Sequence, residues 1–357
     1  MAKFHTLKVS DIRRETADCV SIAFEVPASL QGEYKYIQGQ YLTLKLKVNG
    51  EEIRRSYSLC SSPTADKEWR IAIKKVKEGK GSIYLNEKVK AGDQMEVMTP
   101  MGNFHTPVFS TNKKRYVLFA GGSGITPMMS IVKTILREEP SSSLHLFYGN
   151  RDETSTIFKK TLDELAASSA GRFTLTHILE HPATSLDELY KGMLTKEKVT
   201  ALIGKQNGLG ADEYFICGPG PMMENVKQAL KDLKVDDKKV HIEYFTAVLD
   251  AVNKAEAIDS PGSGMTSKVT VIMDGKETQF DLSSEGQVIL DAALDEGVDV
   301  PYACKGAVCC TCRAKLVEGK VRMDNNYALT DNEVKEGYIL TCQSHPLTEK
   351  VVVDYDV

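Results

Sequence analysis

The chain has 357 residues, of which 42% are hydrophobic and 26% charged, and its formal net charge is −4. This length exceeds what one hydrophobic core usually supports, and the composition excludes a disordered or fibrous protein. No apolar run of about 18 residues occurs and the first residues lack the apolar region of a signal peptide, so we expect a cytoplasmic protein without a membrane partner. We also expect several domains, from the length, and no nucleic-acid partner.

The first 108 residues have the pattern of β-strands. In "YLTLKLKV" (41–48), apolar and polar residues alternate, and "WRIAIKKV" (69–76) has a similar character. Because alternation is typical of strands with one buried face, residues 1–108 are predicted to form an antiparallel β-barrel domain.

Residues 109–245 show a different rhythm. Short apolar runs such as "RYVLFAGG", "SLHLFYGN" and "EYFICGPG" are each followed by a helical segment. This βα alternation predicts an α/β domain in which helices cover a parallel sheet.

A boundary and a third domain follow. Residues 246–267 are rich in small and polar residues and contain Ser-Pro-Gly-Ser-Gly, as interdomain linkers often do. Residues 268–357 open with two strand-like runs joined by Asp274-Gly275, a strong hairpin signal, and continue with a short helix that ends at Gly297. This last domain has 9 basic and 16 acidic residues, so it should prefer a basic docking surface, although the charge alone favours a merely solubilising surface.

Five of the eight cysteines lie in the last 54 residues. Four of them have the spacing C-x4-C-x2-C followed by 29 residues and a further cysteine: Cys304, Cys309, Cys312 and Cys342. This is the ligand spacing of plant-type 2Fe-2S ferredoxins, which residues 268–357 resemble. A structural zinc site is the alternative, but its usual pairing of two C-x2-C units, or of one with histidines, is absent. Cys310 is left without a coordination position, so we expect it not to bind the cluster.

Such a cluster accepts single electrons, whereas a nicotinamide donates a hydride, so a flavin is needed between them. The segment "RRSYSLCSSP" (54–63) contains Arg55, Tyr57 and Ser58 in the pattern R-x-Y-S. It resembles the flavin signature of the ferredoxin-NADP reductase family. The resemblance implies that Arg55 pairs with a flavin phosphate, Tyr57 stacks on the isoalloxazine ring, and Ser58 hydrogen-bonds its N5 side.

The flanking segments "IQGQYLTL" and "IAIKKVKEGKGSIYLNEKVKAGDQMEV" follow the same family in order and spacing. They imply further FAD contacts from Ile73 and Lys74, and from Gly81 and Ser82 as donors to the pyrophosphate. Phe245, which closes "HIEYF", resembles the terminal aromatic that covers the flavin in this family; a core phenylalanine is the alternative.

Two glycine-rich segments lie in the predicted α/β domain, residues 109–245. "VLFAGGSGITPMMSIV" and "YFICGPGPMM" together resemble this half of the reductase family. The resemblance implies that five residues contact the nicotinamide cofactor: Gly122, Gly124, Thr126, Cys217 and Gly218. It places Thr126 and Cys217 beside the ring and assigns catalytic roles to Ser58 and Cys217, while a small buried residue is the plainer interpretation of Cys217.

Arg151 follows the second predicted strand of this domain, where an arginine can accept the 2'-phosphate of NADPH. No acidic residue stands directly at that strand end, which also favours NADPH as the cofactor. Asp152 and Glu153 come directly after Arg151, so NADH stays possible.

The predicted fold class is therefore a multidomain chain with an antiparallel β-barrel flavin domain, an α/β nicotinamide domain and an α+β, β-grasp ferredoxin domain. The resemblance implies electron transfer from NAD(P)H through FAD to a 2Fe-2S cluster and on to an oxygenase. The C-terminal segment looks most like that of reductase subunits of bacterial phenylacetyl-CoA epoxidases, which implies a di-iron oxygenase partner. Two alternatives stay open: a reductase for a Rieske or alkane-type oxygenase, and a flavin- and zinc-containing binding or sensor module that transfers no electrons.

Overall fold

A computed structural model describes residues 3–205, 210–245 and 264–357. The predicted linker at 246–267 lies mostly outside the described residues. Within the described ranges, no helix is both long enough and apolar enough to cross a membrane.

The N-terminal part is a six-stranded antiparallel sheet. Its strands are β1 (Phe4–Thr16), β2 (Cys19–Glu25), β3 (Tyr41–Val48), β4 (Glu51–Ser58), β5 (Trp69–Lys74) and β6 (Gln94–Met98). They lie in the order β4-β3-β6-β1-β2-β5, and helix α1 (Lys80–Glu87) connects β5 to β6. An antiparallel bridge between Leu59 and Ile71 joins the two edges of the sheet, so the sheet closes into a barrel. The alternating residues Leu42, Leu44 and Leu46 lie in its core.

The middle part is a five-stranded parallel sheet. Its strands are β7 (Arg115–Gly121), β8 (Ser143–Asn150), β9 (Phe173–Leu179), β10 (Glu213–Cys217) and β11 (Val240–Glu243), and its helices are α2 (Ile125–Glu138), α3 (Lys159–Ser168), α4 (Lys196–Lys205) and α5 (Gly220–Asp232). Alternate residues of β7 face opposite sides of the sheet, because Tyr116 and Leu118 pack with α2 and α3 whereas Val117 and Phe119 pack with α4 and α5.

The strand order β11-β10-β7-β8-β9 reverses between β7 and β10. In open α/β sheets, the loops that leave such neighbouring strands in opposite directions form a crevice at the carboxyl ends of the strands, and ligands bind there. Both glycine-rich segments leave the sheet at this point.

The C-terminal part is a mixed sheet with two short helices. The five-stranded sheet contains β12 (Thr266–Met273), β13 (Lys276–Ser283), β14 (Arg313–Glu318), β16 (Tyr338–Leu340) and β18 (Lys350–Asp354), β15 (Val321–Met323) pairs with β17 (Ser344–Pro346), and the helices are α6 (Ile289–Asp295) and α7 (Asp331–Lys335). Asp274 and Gly275 both have positive φ (52° and 70°), as the type I′ hairpin between β12 and β13 requires.

The predicted fold class is confirmed: a barrel, a parallel α/β sheet and a ferredoxin-type domain follow one another along the chain. Domain contacts bring their functional segments together. The ring of Phe104, after the barrel, packs edge-on against Phe215 of β10 at 5.4 Å between centroids. Tyr41 of the barrel lies in the hydrophobic core of the C-terminal domain.

Candidate functional site

One cavity of about 610 Å³ lies where the three domains meet. Many of the residues singled out from the sequence lie in its wall: Arg55, Tyr57, Ser58, Lys74, Gly81, Ser82, Thr126, Phe245 and Cys304. The barrel supplies the first six, the α/β domain supplies Thr126 and Phe245, and Cys304 belongs to the predicted cluster loop. The fold therefore places the predicted flavin, nicotinamide and cluster segments around one space.

Strand β4 presents the R-x-Y-S residues to this cavity. Arg55 donates from Nη1 to the carbonyl oxygen of Arg54 (2.7 Å), which fixes the direction of its side chain. Burial raises the pKa of the Tyr57 phenol, so the ring is neutral and presents an aromatic surface. The side chain of Ser58 is 3% exposed.

The N-terminus of α1 forms the basic end of the cavity. Its N-cap, Gly79, makes no side-chain cap and the first turn contains no acidic residue, so first-turn N–H groups point towards the space where an anion is favoured. Four basic residues lie around it together with two acidic ones, Glu51 and Glu78, and Lys80 pairs with Glu51 (2.6 Å); the basic residues are Arg55, Lys74, Lys77 and Lys80. This charge, together with the aromatic surface of Tyr57, fits the diphosphate and ring of FAD.

Gly81 lies beside Arg55, since a Cβ there would be in ordinary contact with the Cγ of Arg55 at 3.4 Å. The hydroxyl of Ser82, which we expected to donate to the pyrophosphate, donates to the carbonyl of Gly79 (3.1 Å) and accepts from the N–H of Val76 (3.0 Å). Ser82 therefore shapes the loop before α1.

The side chain of Ile73 lies away from the cavity, and its predicted contact with FAD stays a prediction. Its side chain is 1% exposed and packs in the barrel core, its backbone pairs with Val20, and its carbonyl accepts from the amide of Asn86 (3.0 Å). Its neighbours Ala72 and Lys74 line the cavity instead. The physical reason is the two-residue period of a strand, which sends the side chain of Ile73 to the opposite face.

The two glycine-rich segments pack closely at the sheet reversal. A Cβ on Gly124 would lie 2.0 Å from the carbonyl oxygen of Cys217, and one on Gly218 would lie 2.9 Å from the nitrogen of Gly121. Gly122 has a φ of +51°. Only glycines permit this approach, which places α2 and its Thr126 at the cavity.

Cys217 ends β10 and is fully buried, with an exposure of 0%. It lies behind the glycine segment rather than in the wall of the large cavity. Burial raises the pKa of its thiol, so the side chain is a neutral thiol.

Arg151 follows β8, as predicted. Its guanidinium is 60% exposed and lies 3.6 Å from Asp18, in the turn between β1 and β2. The guanidinium is thus exposed at the carboxyl edge of the sheet, where a phosphate would compete with Asp18 for it, and its role in choosing NADPH stays a prediction.

Sequence reasoning missed Glu243, the last residue of β11. It borders a smaller space of about 50 Å³ with Ser58, Phe245, Cys304 and Cys309. Burial raises the pKa of Glu243 from 4.5 to about 8. A carboxyl group that is able to hold a proton near neutral pH therefore lies between the predicted flavin and cluster positions. In the sequence, its position directly before Tyr244-Phe245 was the signal that could have identified it.

The four predicted cluster ligands form two pairs. The sulfur atoms of Cys304 and Cys309 are 3.1 Å apart, and Cys312 contacts Cys342. In the described ranges, no three His, Cys, Asp or Glu side chains converge on a single metal position. Two pairs of thiolates fit a cluster with two irons and two cysteines on each.

The loop after Cys304 turns its backbone towards sulfur. Lys305 and Ala307 have positive φ angles of 52° and 62°, and the N–H of Gly306 donates to the sulfur of Cys304 (3.3 Å). The Cys309 thiol and backbone N–H groups lower the pKa of the Cys304 thiol. This environment stabilises an anionic sulfur cluster.

Cys310 lies on the other side of the loop. Its sulfur is 3.4 Å from the Tyr41 hydroxyl of the barrel. It therefore contacts the neighbouring domain, in keeping with the expectation that it is not a ligand.

Comparison with known proteins gives a match for each part. Models of three families match: the oxidoreductase FAD-binding domain over residues 6–106, the oxidoreductase NAD-binding domain over 118–228 and the 2Fe-2S iron-sulfur cluster binding domain over 271–347.

Full-length relatives combine the same parts. The chain is 42% identical to a subunit of the 1,2-phenylacetyl-CoA epoxidase of Escherichia coli K12, with 100% of this chain and 99% of that protein covered. It is 34% identical to the ferredoxin reductase component of the 3-ketosteroid-9-alpha-monooxygenase of Rhodococcus rhodochrous, over 98% of this chain and 96% of that protein. The solved phthalate dioxygenase reductase is 25% identical, with a TM-score of 0.56 and 98% of both chains covered.

Proposed function

The chain belongs to the family of oxygenase reductases that join an FAD-binding, an NAD-binding and a 2Fe-2S domain, and on this premise we propose that it delivers electrons from NADPH to a di-iron oxygenase similar to phenylacetyl-CoA epoxidase. It is an NAD(P)H-dependent flavin and iron–sulfur oxidoreductase. The choice of NADPH and the identity of the oxygenase are the parts that we propose. The 42% identity to the epoxidase protein, against 34% to the ketosteroid reductase component, favours this oxygenase.

The observation that carries the proposal is the shared cavity. Arg55, Thr126, Phe245 and Cys304 belong to four distant parts of the sequence and line one space. When bound there, FAD accepts the hydride of a nicotinamide and passes its electrons singly to the iron–sulfur cluster.

The protein groups bind and orient. Arg55 and the neighbouring lysines pair with the diphosphate, Tyr57 and Phe245 supply aromatic surfaces, and Thr126 lies where a nicotinamide ring enters from the α/β domain. Glu243 holds a proton near neutral pH, within the space that Ser58 also borders. Cys304 places one cluster ligand in the same wall.

The proposal is tested with the purified holoprotein. Anaerobic NADPH should bleach both the flavin and the cluster absorption bands, and the protein should then support turnover of phenylacetyl-CoA by the oxygenase component of the epoxidase. A full-length Cys309→Ala variant is the control: it should still reduce ferricyanide with NADPH but drive no oxygenase. Equal support of a ketosteroid oxygenase would assign the chain to another system, and a protein without a cluster band would support the zinc alternative.

A further inference from the structure

A single arginine of the barrel organises the contact with the cluster domain. Arg54, on β4, is 4% exposed although it lies at a domain boundary. Its guanidinium donates to the carboxylate of Asp299 (2.6 Å) and to the carbonyl oxygen of Val300 (3.4 Å). Both partners lie just before the cluster loop that begins at Tyr302.

The same guanidinium contacts the ring of Tyr302, with its Cζ atom 4.4 Å from the ring centroid. The ammonium group of Lys305 also lies over this ring, at 4.8 Å. Lys305 directly follows the ligand Cys304. Cation–π contacts of the Tyr302 ring thus connect Arg54 of the barrel with Lys305, the residue beside a cluster ligand.

Two neighbouring residues of β4, Arg54 and Arg55, face the cluster domain and the cavity, respectively. Side chains alternate along a strand, so Arg54 faces the cluster domain while Arg55 lies in the wall of the cavity. The two are also bonded to each other, since Arg55 donates to the carbonyl of Arg54. The same strand, β4, therefore contacts the cluster domain through Arg54 and presents the predicted flavin residue Arg55 to the cavity.

A second tie holds the far end of the cluster loop. The hydroxyl of Tyr41 accepts a hydrogen bond from the N–H of Cys310 (3.1 Å) and lies 3.3 Å from the hydroxyl of Thr311. Tyr41 is buried between the domains, with an exposure of 4%. The loop from Cys304 to Cys312 is thus held to the barrel near both of its ends.

We propose that Arg54, through Asp299 and Tyr302, is a positioning residue that holds the cluster loop against the flavin cavity and thereby sets the rate of electron transfer from flavin to cluster. This rests on the proposed electron path but concerns a different step from hydride transfer. Because the Arg54 guanidinium is buried (4% exposed), the loss of its hydrogen bonds should lower the docking equilibrium constant about 10- to 100-fold. The Asp299 carboxylate is 72% exposed, so its loss alone should lower that constant about 2- to 5-fold.

The test uses four full-length holoprotein variants and one control. Asp299→Ala and Tyr302→Leu remove the partners of Arg54 from the cluster domain, away from the flavin residues. Arg54→Gln removes the charge, and Arg54→Lys keeps it. Asp295→Ala is the matched control, because it removes the same charge from the same domain, and Asp295 binds Gln287 within that domain (2.7 Å).

Three quantities are measured for each protein: FAD and iron content, steady-state reduction of ferricyanide by NADPH, and the stopped-flow rate at which NADPH reduces the cluster band. Arg54→Gln should slow cluster reduction about tenfold or more, and Asp299→Ala and Tyr302→Leu about threefold, while the other two quantities stay within about twofold of wild type. Arg54→Lys should recover part of the rate, and Asp295→Ala should match wild type.

Cluster reduction within twofold of wild type in Asp299→Ala and Tyr302→Leu would overturn the proposal. So would an equal loss of ferricyanide reduction, because it would place the effect at the flavin. If NADPH does not reduce the cluster in the wild-type protein, the electron path itself fails, which is a separate result.

Discussion

Gly124→Ala tests the close contact between the two glycine-rich segments. A Cβ at this position would lie 2.0 Å from the carbonyl oxygen and 2.4 Å from the carbonyl carbon of Cys217, and 2.8 Å from the nitrogen of Gly218. All three atoms belong to the backbone and have no flexible side chain to move aside. The φ of Gly124 is −62°, which alanine adopts readily, so the effect of the change is purely steric.

The magnitude follows from the geometry. Ordinary contact of a Cβ begins near 3.4 Å, so the two segments must separate by about 1.4 Å. A misplacement of about 1 Å in a site that orients two reactants costs about 100-fold in rate. We therefore expect NADPH-dependent reduction of ferricyanide to fall about 100-fold, because α2 and Thr126 no longer present the nicotinamide to the flavin.

The assay is steady-state ferricyanide reduction, with FAD and iron content measured on the same sample. Both contents should stay near wild type, since the altered contact lies outside the barrel and the cluster loop. Gly204→Ala is the control: Gly204 lies in α4 of the same domain and a Cβ there meets nothing within 4 Å. Activity of Gly124→Ala within twofold of the control would refute the reasoning.

Three further predictions address the cluster, the cofactor and the buried acid. Alanine at any of the four predicted ligands (Cys304, Cys309, Cys312 and Cys342) should abolish the cluster, whereas Cys310→Ala should leave the iron content unchanged. Iron analysis of the five variants measures this, and loss of iron in Cys310→Ala would contradict the ligand assignment. Arg151→Ala should weaken NADPH about 10- to 100-fold and NADH little, because a charge-assisted contact to phosphate contributes roughly 1.5–3 kcal/mol; kinetics with both cofactors measures this, and equal losses would give Arg151 a structural role. The stability of Glu243→Gln relative to wild type should increase as the pH rises from about 5 to 8. Folded Glu243, with a pKa of about 8, retains a proton that the unfolded chain has released above its ordinary pKa of about 4.3. Melting temperatures of both proteins across this pH range measure the effect, and a pH-independent difference between them would contradict it.

The cluster ligands were predictable because their signal is local. The spacing of Cys304, Cys309 and Cys312 is dictated by the size of the cluster that one short loop must surround, so it is visible without a fold. The Asp274-Gly275 turn was predictable for a similar reason, since both positions require positive φ. A segment match does not say which face of the strand each side chain occupies, and the burial of the Ile73 side chain in the barrel core became visible only in the structure.

The sequence by itself determined the order of the three domains, their secondary-structure types and the ligand spacing, since each depends on residues near one another in the chain. Only the tertiary structure decided what these segments do together. Glu243 acquires its raised pKa from burial among residues of other elements, and Arg54 acquires Asp299, 245 positions away, and Tyr302 as partners across a domain boundary. Burial and distant contact depend on how whole domains pack, and neither leaves a periodic or local pattern in the sequence.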